Sequence, residues 1–318
     1  MLSWSLWQTI KNPPMGHPIF QRASIEQPLE MPWIISRRVV RLLQFLLGTL
    51  ALIVLMQNPQ LILLVFMGSA FFVLFIIVTP LFLPLAILAY GTYLAATISS
   101  VISTEIEAHT YTLLCVSPGG SLNINWIIGS GVLHRGQLFE WLNAAIRSVL
   151  IIALLGMLIV VVIILSLAIS VLSGNEVPAF PDALRTSIEL FAMLGIFYSG
   201  YTQSLVLAVI AGVLVPHHNI KKRDTQPTAA VSFLALQLGS YLAAFLIIVS
   251  ISNRFYGHSM GSDLLLPPLY FIIIYGTREL IIRWLWHQLI YRLNATPGDL
   301  AHLHVHAPWF PKNRSISS

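Results

Sequence analysis

Charge is what this sequence has least of. Only 9% of its 318 residues are Asp, Glu, Lys or Arg, and none of these, nor any His, occurs from Leu42 to Thr104. Ser148 to Asn175 is equally clean. Cysteine is nearly missing too. The single Cys115 excludes an intramolecular disulfide and any multi-cysteine metal site. There is no G-x-x-x-x-G-K-[ST] loop to cradle nucleotide phosphates, and neither a G-x-S-x-G nor an H-E-x-x-H motif. Nucleophilic and zinc-dependent hydrolysis therefore have no visible machinery. Glu105 and Glu107 stand two apart, and helical residues so spaced do not share a face. The expectation is a chain that is not an enzyme and carries no cofactor or metal of its own.

What remains is apolar. Hydrophobic residues make up 57% of the chain, in several long runs. A transmembrane helix needs about 20 apolar residues to cross a hydrocarbon core of about 30 Å. Several such runs leave no plausible soluble fold, so the expected class is an all-α polytopic membrane protein. The expected spans are 39–57, 61–100, 148–172, 187–215, 229–252 and 265–290. Residues 1–38, polar to mixed, precede the first run and do not read as a cleaved signal peptide.

The net charge of +5 does not read as nucleic-acid binding, because the basic residues are dispersed among loops that flank apolar runs. Placing the N-terminus, 101–147, 216–228 and the C-terminal segment in the cytoplasm puts every Lys and Arg inside except Arg185 and Arg254. The positive-inside bias favours that arrangement. It also requires 39–100 to cross the membrane an even number of times. Two crossings are expected, with 61–100 either a long helix broken near Pro80 or a re-entrant piece plus a helix. Six crossings follow, with both termini cytoplasmic. Residues 31–41 join Trp33, Ile34 and Ile35 to Arg37, Arg38 and Arg41. That segment reads either as an amphipathic elbow at the interface or as a basic flank anchoring the first helix.

The loop after the second span carries the most information. Its Glu105, Glu107, Thr110, Leu113, Leu114, Ser117 (for Thr) and Pro118 resemble the cytoplasmic signature of ABC-2 type transporter permeases. Ile106 replaces the usual Arg there, His109 the usual Gly, Thr112 the usual Glu and Gly119 the usual Leu. Gly129 sits where a Gly-Lys pair is common, with Ser130 in place of the Lys. The N-terminal His17-Pro-Ile-Phe-Gln-Arg22 is similar to the N-P-V-L-x-R-E opening of some members. The resemblance implies that Tyr111, Leu113 and Leu114 form an apolar knob on a short cytoplasmic helix. That helix would enter a cleft on a separate ATP-binding subunit. The turn Ser117-Pro-Gly-Gly would end it, since Pro lacks a donor and glycines permit sharp turns. The plainer reading is a loop helix packed on its own protein.

The resemblance further implies 39–295 as a permease domain with 101–147 as its coupling loop, and 296–318 as a cytoplasmic tail. ATP would be bound by the partner, a second permease subunit would complete the assembly, and the setting would be the cytoplasmic membrane of a prokaryote. Short external loops favour export. The rival from another class is a membrane anchor or scaffold in a multi-subunit complex, and a lipid-acting interfacial enzyme is a third.

Other charged residues have smaller expected roles. His217, with Lys221, Lys222 and Arg223, forms a basic loop beside anionic headgroups or a second docking point. His302-Leu-His-Val-His306 lies in a proline-containing tail and reads as solvated. Arg278 and Glu279, in the last span, are expected to neutralise each other. Small residues in the fourth and fifth spans, among them Gly200, Ser204 and Gly239, allow close helix approach.

Overall fold

The computed structural model describes residues 1–24, 70–115, 120–135, 138–172, 180–218, 222–255 and 260–295, and every regular element among them is helical. These are α1 (Leu2–Lys11), α2 (Pro18–Ser24), α3 (Ala70–Glu107), α4 (Thr110–Cys115) and α5 (Gly120–Leu133). They are followed by α6 (Leu138–Leu172), α7 (Phe180–Leu214), a 3₁₀ turn (Val215–His218), α8 (Lys222–Phe255) and α9 (Met260–Arg292). The expected span 39–57, the start of 61–100, the elbow segment 31–41 and the tail lie outside the described residues.

Backbone groups in lipid must be paired within their own segment, so apolar runs of this length fold as helices. Four helices among the described residues are long and apolar enough to cross a membrane: Leu83–Glu107, Leu184–His218, Asp224–Ser252 and Leu265–Arg292. This is a membrane protein. α3 continues through Pro80 and Pro84, so the break expected near Pro80 is absent from this helix. A helix absorbs such prolines when its surroundings satisfy the freed carbonyls.

α7 is the hub, packed against α9, α3, α6, α1, α8 and α5. Its residues from Tyr201 to Val213 are all buried. Gly212 lets α3 close on it: a Cβ there would stand 2.9 Å from both the Ala95 carbonyl oxygen and Ile98 Cβ. Polar ties fix the rest. Ser99 Oγ on α3 donates to Thr225 O on α8 at 3.2 Å, and Ser121 Oγ on α5 donates to Leu293 O beyond α9 at 3.0 Å. The ends of α3, α7 and α9 and the start of α8 therefore gather at one end, beside α4.

That end is roofed by protein. The stretch expected as one loop, 101–147, contains the last turns of α3, then α4, α5 and the start of α6. α5 is core: Leu122, Ile124, Trp126, Ile127 and Ile128 are buried. It packs on α2, α3, α7 and α1, and Tyr90 Oη on α3 donates to Leu133 O at its far end at 3.1 Å. Away from α4 the covering changes. Ile151, Leu158 and Leu165 on α6, Leu242 and Phe245 on α8, and Ile272 on α9 are exposed and apolar, the side chains a bilayer covers. Exposed Trp4, Trp141, Tyr241 and Trp284 add amphipathic rings of the kind enriched where hydrocarbon meets water.

Candidate functional site

α4 is built from the way α3 stops. The Ala108 N–H donates to Thr104 O at 3.0 Å and the His109 N–H to Ile106 O at 3.2 Å, closing the last turn. His109 then takes φ 55, a left-handed value that His tolerates better than most residues. The chain turns there and α4 begins at Thr110.

Glu105 anchors this turn. Arg22 Nη2 on α2 pairs with Glu105 Oε1 at 2.7 Å, and Thr110 Oγ1 donates to the same residue's carboxylate and, at 3.2 Å, to its backbone oxygen. Tyr111 points inward. Buried Asn125 on α5 donates from Nδ2 to Tyr111 Oη at 2.7 Å and to Ser121 O at 2.8 Å. His217 Nε2 in the 3₁₀ turn stands 3.5 Å from the same phenol oxygen, with ring centroids 5.5 Å apart. Burial pushes the Tyr111 phenol above its usual range, so it remains a neutral hydroxyl. Leu114 packs against the core, while Leu113 stands 75% exposed. Glu107 and Thr112 share the exposed side of the turn.

The expected coupling residues thus divide. Glu105, Thr110, Tyr111 and Leu114 hold α4 in place, and Leu113 with Glu107 faces outward. Ser117 and Pro118 lie outside the described residues. Of the second expected docking group, His217 is brought to Tyr111, Lys222 and Arg223 begin α8, and Lys221 lies outside the described residues. No group of three or more His, Cys, Asp or Glu that would suit a metal occurs among the described residues.

Arg278 and Glu279 do not neutralise each other, contrary to expectation. Arg278 is 2% exposed and turns toward α7 and α8. Its Nη1 donates to Gly200 O at 3.3 Å and Tyr241 Oη at 2.7 Å, and its Nη2 to Ser204 Oγ and Gln237 Oε1, both at 2.9 Å. All four acceptors are neutral. Glu279 turns the other way and accepts the N–H of Leu2 at 2.8 Å and of Ser3 at 3.3 Å, the first donors of α1. Consecutive helical residues point about 100° apart, so each found its own partner. The signal was in the sequence: Ser204 stands on one apolar helix, and Gln237 with Tyr241 forms an i, i+4 polar pair on another.

Compared with protein-family models, with curated proteins and with solved structures, the chain matches none.

Proposed function

We propose that this chain is the permease subunit of an ABC-2 type transporter, working in export, and that α4 is its contact with a separate ATP-binding subunit. One observation carries this reading. The two segments that resemble the family, His17–Arg22 and Glu105–Pro118, meet in space through the Arg22–Glu105 ion pair. The position where the signature usually has Gly, His109, also takes a left-handed φ. The product is a short, internally braced helix that offers one exposed leucine. A partner must grip such a helix without unfolding it, and bracing by Glu105, Thr110 and Tyr111 supplies the stiffness.

The full proposal has six crossings with both termini in the cytoplasm, a second permease subunit completing the pathway, and the cytoplasmic membrane as its location. ATP is bound by the partner alone. The rival reading is a non-transporting anchor in a membrane complex.

The experiment is affinity purification from native membranes. An ATPase should co-purify with the wild-type chain and be lost with Leu113→Asp, whose melting temperature should match the parent because Leu113 is exposed. Retention of the ATPase by the variant would remove α4 from the contact. Isolation of other partners without an ATPase would favour the anchor.

A further inference from the structure

A cavity of about 330 Å³ lies between α2, the end of α3, α4 and α5, and no role assigned above uses it. Its cationic walls are Arg22 and Arg135, its hydroxyls include Ser100 and Thr104, and Leu114 and Ile128 supply apolar surface. The volume is about ten times a water molecule's share of the liquid, enough for a small hydrated polyatomic group.

The charges around it do not cancel. Both carboxylate oxygens of Glu105, the acidic side chain in the wall, are committed, one to Arg22 and the other to Thr110. Arg135 is left over. Its Nε is buried and has no hydrogen-bond partner among the described residues, although its residue is only partly buried and lines the cavity. A buried guanidinium atom without an acceptor is costly, and oxyanions satisfy such a fork best because two oxygens meet two N–H groups at once. Among the described residues the Ser100 hydroxyl donates to no acceptor, and it stands in the same wall. Thr104 Oγ1 already donates to Ser100 O at 2.8 Å, so its lone pairs face no anion productively and it serves as wall.

We propose that this cavity binds an oxyanion of the phosphoester class, with Arg135 as the principal ligand, Arg22 as a shared cation and Ser100 as a donor. The apolar walls select an ester carrying carbon over bare inorganic phosphate. The group arrives either as a phospholipid headgroup or as a soluble phosphoester, and Leu114 in the wall joins occupancy to the seating of α4. The inference does not rest on the transporter reading, because it needs no ATPase.

The test uses the full chain, delipidated in a neutral detergent, with binding read by native mass spectrometry. The probes are phosphatidylglycerol, phosphatidylcholine, glycerol phosphate and inorganic phosphate. Phosphatidylglycerol or glycerol phosphate should bind one to one, and Arg135→Gln should weaken that binding about tenfold or more, the worth of one charge-assisted hydrogen bond. Ser100→Ala should weaken it a few-fold, and Arg292→Gln, outside the cavity, should leave it unchanged. Should Arg135→Gln fail to fold, Arg135→Lys and Ser100→Ala carry the same comparison. Binding of phosphatidylglycerol that excess glycerol phosphate does not displace identifies the lipid source; tight glycerol phosphate binding by itself identifies the soluble one. No binding of any phosphoester, or indifference of that binding to both cavity variants, would overturn the site.

Discussion

Arg278 Nη1 on α9 lies 2.7 Å from Tyr241 Oη on α8, and the guanidinium carbon sits 4.8 Å from the centroid of the same ring. Tyr241 thus meets the cation twice, as acceptor and as π face, where a carboxylate would ordinarily stand. A cation–π contact contributes about 0.5–2 kcal/mol, more as water is excluded. Gly200, Ser204 and Gln237 complete the shell, so one arginine joins α7, α8 and α9.

Removing that arginine should loosen three helices together. Arg278→Gln should destabilise the protein by about 1–3 kcal/mol, because it leaves the buried Gln237 Oε1 without its donor, while Ser204 Oγ keeps only the N–H of Gln237 Nε2. Tyr241→Phe should cost less, and the two changes combined should cost less than their sum, since they share one interaction. Apparent melting temperatures of the purified variants check this, and strictly additive losses would contradict the shared network.

Glu279 should control whether α1 stays docked. Its carboxylate caps the first N–H groups of α1 and carries charge favourable to that positive helix end. Glu279→Gln should weaken the cap by about 0.5–2 kcal/mol. Limited chymotrypsin digestion should then cut at Trp4 or Trp7 sooner than in the parent, while the long helices stay protected.

Gly212→Ala should separate α3 from α7. The added methyl meets a backbone oxygen and a β-carbon at 2.9 Å, neither of which is the yielding end of a flexible side chain. Overpacking of this kind costs about 1–3 kcal/mol. Gly239→Ala on α8, with open space around its Cβ, should be nearly neutral in the same melting assay.

Cys115 should react slowly and from one side. Burial pushes its thiol above the ordinary range, which lowers the thiolate fraction at neutral pH. Because the thiolate is the nucleophile, maleimide labelling should rise about tenfold per pH unit until the thiol titrates. It is the sole cysteine, so labelling has no background. With an impermeant reagent, inverted vesicles should label and intact cells should not. Labelling of intact cells would overturn the proposed cytoplasmic placement of α4 and with it the proposed ATPase contact.

The helical membrane character was legible because nearly everything in an apolar run depends on composition alone. Leu83–Glu107 and Asp224–Ser252 needed only length and a long stretch without charge to be found. The short helix α4 was expected for a different reason, the resemblance of the loop around Tyr111 to a known cytoplasmic signature. Hydropathy does not say what covers an apolar side chain, however. Trp126 in α5 looks like loop from its flanks, yet it is 2% exposed, donates to Thr9 Oγ1 at 2.9 Å and packs 5.2 Å from Trp286.

The sequence by itself determined the solvent this chain lives in and the helical state of its long runs, since both follow from local residue chemistry. Tertiary structure decided which apolar surface is roofed by α1, α2 and α5 and which is left for lipid. It also decided that Glu105 holds Arg22, that Glu279 caps α1, and that Arg135 faces a cavity with no counter-charge of its own among the described residues. Those outcomes depend on groups as much as 277 positions apart, and a polar group's partner is set by which helices pack together.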